Sequence, residues 1–295
     1  MFNDKIEMVL LDMDGTLLNS QSEVSPKNKE ILKQLISKGY KVAIATGRNY
    51  HEARSVVKDI AGLAYITNNG SHITDFNGEI IFNRTIGQED TISLLKIIES
   101  YPSLNYSLAA PEEIYMKSKL KFIKMVLSHK GVFKNKLNLF KSFALIKRLI
   151  RLFNSRKTSD NIYEVLKNSS LAVQKIDVMG KIDEMESFKK RIVESFGEKF
   201  KLSSSSKDNL EINPLNISKG TGLVYLADKL GIDVKNCIAF GDGGNDLELF
   251  DIVGTSVAMS NSEFSELKKK ADIIAESNDD DGVAKILTRL LVVKA

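Results

Sequence analysis

The chain has 295 residues, 43% hydrophobic and 27% charged, with 42 Lys and Arg against 38 Asp and Glu for a net charge of +4. This content supports a sizeable core, excludes disorder as the main state, and at this length points to two domains or one domain carrying a large insertion. The net charge averages two unlike pieces: Lys117 to Lys157 holds 13 basic residues and no acidic one, which leaves 29 basic against 38 acidic elsewhere, a net of −9.

Residues 6–11 (Ile-Glu-Met-Val-Leu-Leu) are a short apolar run that predicts a buried strand, and it ends at Asp12-Met13-Asp14-Gly15-Thr16. Ser25-Pro26 predicts the cap and first turn of a helix whose apolar face is Ile31, Leu32, Leu35 and Ile36, with Gly39 as its stop. A strand over 41–45 runs into Thr46-Gly47-Arg48 and a second helical segment, followed by a strand over 64–67. This alternation predicts a parallel sheet covered on both faces. The rhythm then changes: 71–75 and 79–82 flank Asn77-Gly78, a dipeptide that supplies positive φ in a tight hairpin. A different unit follows and ends near Leu202, before the small polar run Ser203 to Ser206, which suits a hinge. Beyond it the first rhythm returns: a helix over 219–230 stopped by Gly231, a strand over 236–240 ending at Gly241-Asp242-Gly243-Gly244-Asn245-Asp246, and strands over 256–258 and 272–274. The expected organisation is one α/β domain, 1–82 plus 203–295, interrupted by an insert, 83–202.

No run approaches the roughly 18 apolar residues of a membrane span, and Met1 to Leu10 lacks the pattern of an export signal, so a cytoplasmic protein is expected. The one cysteine, Cys237, excludes an internal disulfide framework and agrees with a reducing compartment. With His51, His72 and His129 scattered, metal chemistry must rest on carboxylates.

Polar clusters follow predicted strands or begin helices at Asp12/Asp14, Thr46, Lys219 and Asp242/Asn245/Asp246. In a parallel sheet the loops after strands gather on one edge, so these clusters can converge at a topological switch point. Asp12 and Asp14 with Asp242 make a hard oxygen site that suits Mg²⁺, which takes one or two carboxylates and a substrate phosphate. Taken singly, each cluster has a plainer reading. Thr46-Gly47 is an ordinary strand-to-helix turn, Lys219 a surface lysine, and Gly241 to Asp246 a glycine-rich turn. A calcium loop with Asp12, Asp14 and Glu23 at positions 1, 3 and 12 fails because Leu17 stands where a glycine is required. Their order and their placement at element boundaries favour a site.

Together Asp12-Met13-Asp14-Gly15-Thr16-Leu17-Leu18, Thr46-Gly47-Arg48, Lys219 and Gly241-Asp242-x-x-Asn245-Asp246 resemble the ordered motifs of haloacid dehalogenase-like (HAD) phosphatases, the Cof-type branch fitting best. Thr67-Asn68-Asn69-Gly70, Ile212-Asn213-Pro214, Val257 to Asn261 and Asp281-Gly282-Val283-Ala284 add to the resemblance, which covers both core halves and leaves the insert largely unmatched. The resemblance implies a Rossmann-like parallel-sheet core with an inserted α/β cap of type C2 that covers the site and selects the substrate. It also implies a Mg²⁺-dependent phosphatase acting on a small phosphorylated metabolite: a sugar phosphate, nucleotide or phosphorylated cofactor. Asp12 would be the nucleophile that forms an aspartyl-phosphate, and Asp14 the general acid and base. Thr46, Gly47, Lys219 and Asn245 would bind the phosphoryl group. Mg²⁺ would be held by Asp12, the Asp14 backbone carbonyl and Asp242, with Asp246 orienting the site. Phosphoryl transfer to a sugar, as in related mutases, and a non-catalytic anion-binding protein on the same fold are the alternatives.

Within the insert, Leu139, Phe143, Ile146, Ile150 and Phe153 recur at helical spacing, with Lys141, Lys147, Arg148 and Arg151 on another arc. Three readings stay open for this basic face: a solvated cap helix, recruitment of an anionic substrate, or contact with a membrane surface or nucleic acid. Helical spacing of the aromatic residues does not favour base stacking, and no specific nucleic-acid partner is expected.

Overall fold

The computed structural model describes residues 5–118, 156–159, 161–168, 171–204 and 208–293. In chain order the first strands are β1 (Met8–Leu11), β2 (Lys41–Ala45), β3 (Leu63–Thr67), β4 (His72–Thr74) and β5 (Ile80–Asn83). Then come β6 (Asn105–Ala109), β7 (Ile114–Met116), β8 (Arg156–Thr158), β9 (Lys175–Met179), β10 (Phe200–Ser203) and β11 (Asn209–Pro214), followed by β12 (Cys237–Gly241), β13 (Thr255–Met259) and β14 (Ile273–Ala275).

These strands divide between two compact units. The first contains an eight-stranded sheet of order β14-β13-β12-β1-β2-β3-β4-β5. From β14 to β3 neighbours are parallel, and β4 and β5 extend the edge antiparallel. The short apolar runs form these strands because both sheet faces are covered. Val9, Leu11, Val42, Ile44, Ile238 and Phe240 enter one cluster, while Met8, Leu10, Ala43, Ala45 and Ala239 enter the other. Each wholly buried aliphatic side chain contributes about 1.5–3 kcal/mol. The helix Pro26–Ser37 covers the first face with Ile31, Leu32 and Leu35. Ser25 caps it by accepting from the Asn28 N–H, and Gly39 ends it at φ +88°. β1 lies between β12 and β2, so the chain runs both ways from it; the crevice outside its carboxyl end is where α/β sheets bind ligands.

The hairpin between β4 and β5 forms where Asn77-Gly78 predicts it, with Gly78 alone supplying the positive φ. Asp75 Oδ1 accepts from the N–H groups of Asn77 and Glu79, at 2.9 and 2.8 Å. The aspartate supplies the turn by side-chain bonding, so the paired positive φ of a two-residue loop is not needed.

The second unit has a six-stranded sheet of order β10-β11-β9-β6-β7-β8. Ile176, Val178, Leu210 and Ile212 alternate into an apolar cluster with Leu94, Leu95 and Ile98 of the helix Gln88–Glu99 and Phe188 and Ile192 of the helix Ile182–Phe196. The chain returns to the first unit at Asn216. Residues 209–214, expected in the catalytic half, instead pair antiparallel with β9, and Lys175 on β9 bonds to Asp177 at 2.8 Å and Glu211 at 3.4 Å. The predicted hinge includes Ser205 and Ser206, which lie outside the described residues, as does the basic helix predicted through Leu139 to Phe153 with Lys141, Lys147, Arg148 and Arg151. At the described ends of the basic run, Lys117 pairs with Glu99 at 2.9 Å and Lys157 pairs with Glu113.

Candidate active site

Asp12 is the first residue after β1, and its N–H still joins the sheet through the Phe240 carbonyl. The chain then turns sharply, with the Leu17 N–H returning to the Asp12 carbonyl. Gly15 makes the turn at φ +80°, and a Cβ there would stand 2.1 Å from Asp242 Oδ2. Only glycine lets the β1 loop lie against the β12 loop. Thr16 Oγ1 donates to Asp242 Oδ1 at 3.2 Å, and Asn261 Nδ2 donates to the Gly15 carbonyl at 2.8 Å.

Lys219 opens the helix Lys219–Leu230, where Ser218 and Thr221 form a reciprocal capping box. Its ammonium is completely buried and donates to Asp12 Oδ1 and Asp246 Oδ1, each at 2.6 Å. Burial alone would lower its pKa; Asp12 and Asp246 outweigh that and raise it, so it stays charged. Asp246 also accepts from the N–H groups of Asp242 and Gly243 through Oδ2, which holds the loop after β12. Asp12 is raised by burial, with Lys219 opposing, and burial together with the Asp246 charge pushes Asp242 up to about 7.

One oxygen from each of Asp12, Asp242 and Asp246 falls within 4.8 Å of the others, a set that could hold a metal. The donors fit a hard dication: all are carboxylate oxygens, and the crowding that raises Asp242 is what a cation would relieve. The Asp14 carboxylate is turned elsewhere. Arg48 holds it by two hydrogen bonds of 2.6 Å, from Nε and Nη2. Arg48 is part of the Thr46-Gly47-Arg48 motif, whose sequence alone gives it no role. Its signal was the motif itself; the fork that matches a carboxylate shows only when β1 and β2 lie side by side.

Thr46 directly follows β2, is buried, and its hydroxyl accepts from the Arg48 N–H at 3.2 Å, with Gly47 between them. Asn245 Nδ2 donates to Asn69 Oδ1 at 3.2 Å. Gly244 is confined: a Cβ would meet the Phe264 ring at 2.9 Å and the Ser204 carbonyl at 3.0 Å, so a larger residue does not fit here. Asp12, Lys219, Asp242 and Asp246 are therefore brought into one cluster, Asp14 joins it through the β1 loop but pairs with Arg48, and Thr46 and Asn245 border it on neighbouring loops. Cys237 is buried in β12, and burial pushes its thiol up to about 12, which marks it as a packing residue.

A family model described as haloacid dehalogenase-like hydrolase matches residues 9–287. The chain is 30% identical to a putative phosphatase of Buchnera aphidicola subsp. Baizongia pistaciae, over 97% of this chain and 99% of that one. It is 28% identical to a 5-amino-6-(5-phospho-D-ribitylamino)uracil phosphatase of Bacillus subtilis, over 97% and 98%. Among solved structures, a haloacid dehalogenase-like hydrolase from B. subtilis superposes with a TM-score of 0.83 at 26% identity, covering 97% of this chain and 100% of that one. The chain belongs to the haloacid dehalogenase-like hydrolases, in their Cof-type branch, and is a phosphatase.

Proposed function

We propose that this phosphatase is Mg²⁺-dependent and hydrolyses a small phosphorylated metabolite through an aspartyl-phosphate on Asp12. The observation that carries the reading is the buried cluster in which Lys219 lies 2.6 Å from Asp12 and from Asp246, with Asp242 alongside. Phosphate-monoester hydrolysis needs acceleration of up to about 10²¹-fold, beyond the roughly 10²–10⁴ that one general base contributes. Covalent catalysis divides the reaction into two in-line displacements. In the first, an Asp12 oxygen forms a bond to phosphorus as the bond to the leaving oxygen breaks, and Asp14 gives that oxygen its proton. In the second, water attacks the same phosphorus, Asp14 takes the water's proton, and Asp12 is released.

Asp12, Asp242 and Asp246, with the Asp14 carbonyl, are the groups we assign to Mg²⁺, which when bound supplies positive charge among the carboxylates and the phosphoryl oxygens. Thr46, the Gly47 backbone, Lys219 and Asn245 we assign to the phosphoryl oxygens, where charge spreads in the transition state. Protonation of Asp14 removes the charge that strengthens its two bonds from Arg48, so its donor state loosens this pairing. The loosened guanidinium cation can then offer an N–H to the substrate's anion.

We assign the choice of leaving group to the second unit, the expected cap. The name of the B. subtilis relative, a 5-amino-6-(5-phospho-D-ribitylamino)uracil phosphatase, supports including a phosphorylated ribityl compound among the substrates to try. Among the described residues no helix is long and apolar enough to cross a membrane. The test is a panel of phosphorylated metabolites assayed for released phosphate with Mg²⁺ and with EDTA, beside Asp12→Asn. Release by the wild type only with Mg²⁺, and none by Asp12→Asn, is expected; equal release in chelated protein or by the variant overturns the reading.

A further inference from the structure

We infer that Asn69 is a positioning residue for catalysis: it orients the Asn245 amide and ties together the loops that carry Thr46, Lys219 and Asn245. The inference rests on the site reading above. Asn68, Asn69 and Gly70 connect β3 to β4 with successive φ values of +47°, +59° and +103°. Non-glycine residues seldom adopt this left-handed region, and asparagine is among the few that tolerate it. A turn of this kind at a surface could relax, but Asn68 and Asn69 are buried.

What holds the turn is contact with the site's other loops. The Asn68 N–H donates to the Arg48 carbonyl at 2.8 Å, and the Asn69 N–H donates to the Thr46 carbonyl at 3.1 Å. On the other side, a Cβ on Gly70 would lie 2.3 Å from the Ser218 carbonyl, directly before Lys219. The Asn69 side chain completes the set by accepting from Asn245 Nδ2 at 3.2 Å, across 176 residues of sequence. One turn thus touches the segment after β2, the start of the Lys219 helix and the loop after β12.

The amide bond also has a direction. An asparagine side chain presents an oxygen at one end and two N–H groups at the other. With its nitrogen drawn toward Asn69, Asn245 keeps one N–H for a phosphoryl oxygen, and end-for-end rotation of its amide would lose the bond to the Asn69 oxygen. Removing the Asn69 acceptor frees that rotation, and the lost orientation appears as a slower reaction.

The experiment uses the full chain with Mg²⁺ and p-nitrophenyl phosphate, comparing Asn69→Gly, Asn69→Asp, Asn245→Ala and the double variant Asn69→Gly/Asn245→Ala. Asn69→Gly keeps the backbone conformation and loses the acceptor; Asn69→Asp keeps the acceptor. Expected are a fall in kcat/KM of ~10- to 100-fold for Asn69→Gly, recovery of most of it in Asn69→Asp, and a double variant no slower than Asn245→Ala. Wild-type rate in Asn69→Gly, or losses that multiply in the double variant, overturns the inference. Calorimetric binding of inorganic phosphate with Mg²⁺ gives a second readout that does not need turnover. Equal weakening by Asn69→Gly and Asn245→Ala supports the inference, and weakening by Asn245→Ala alone overturns it. Absence of wild-type turnover counts against the proposed function, while the binding ratios still decide the role of Asn69.

Discussion

Lys219 keeps its charge where no water reaches it because Asp12 and Asp246 flank its ammonium at 2.6 Å. Paired burial of this kind is costly to break from one side, since the remaining charge is left without compensation. His72 shows the opposite case. It is fully buried on β4, its Nε2 has no hydrogen-bond partner among the described residues, and burial pushes its pKa down to about 4 from the usual 6.5. The folded value lies below the unfolded one, so as pH falls the unfolded chain takes up this proton first. The residue's contribution is therefore complete above about pH 6.5 and is lost as pH falls toward 4, amounting to ~3 kcal/mol at most. His72→Phe keeps a ring beside Tyr50, which lies 5.4 Å from the imidazole by centroid. Urea midpoints of the two proteins should converge or cross in the variant's favour between pH 7 and 4. A difference that stays constant over that range would show that the imidazole does not titrate this way.

At the scale of the element, the Lys219 helix depends on its first turn. Ser218 Oγ accepts from the Thr221 N–H at 3.1 Å while the Ser218 N–H donates to Thr221 Oγ1 at 2.9 Å. Loss of such a cap costs ~1 kcal/mol, and here the cap also sets where Lys219 enters the site. Ser218→Ala should lower Tm by a few degrees and lower kcat beyond what stability explains, measured well below the transition; an unchanged kcat would leave the cap a purely structural role. The same local rules explain what was legible beforehand. Strands over 41–45 and near 64–67, and the helix opened by Ser25-Pro26, follow from apolar runs and cap chemistry within a few residues. The hairpin turn forms at Asn77-Gly78 as predicted, and Asp75 adds side-chain bonds from the N–H groups of Asn77 and Glu79 that the dipeptide alone does not announce. Residues 209–214 read equally well as a strand of either sheet; their pairing with β9 depends on a register that no local pattern encodes.

For the whole molecule, the charge asymmetry has a partial physical account. Acidic residues of the first unit include Asp12, Asp242 and Asp246, which crowd together at a cost that a bound dication would offset. A ligand that binds only the folded state stabilises it by about 2.7 kcal/mol at a hundredfold excess over Kd. Mg²⁺ should therefore raise Tm in scanning calorimetry, and Asp242→Asn should reduce that rise; a Tm independent of Mg²⁺ in both proteins would remove the metal from this cluster. Sequence alone determined the kinds of groups and their places at element ends: Asp12 after a strand, Lys219 at a helix start, Asp242 and Asp246 in a glycine-rich loop. Those signals act over a few residues, where backbone preference and apolar spacing dominate. Tertiary structure alone decided the partners: Lys219 with Asp12 across 207 residues, Arg48 with Asp14, Asn69 with Asn245, and β11 with β9. Hydrogen bonds of this kind require angstrom placement of side chains from distant segments, and only the packed sheet supplies it.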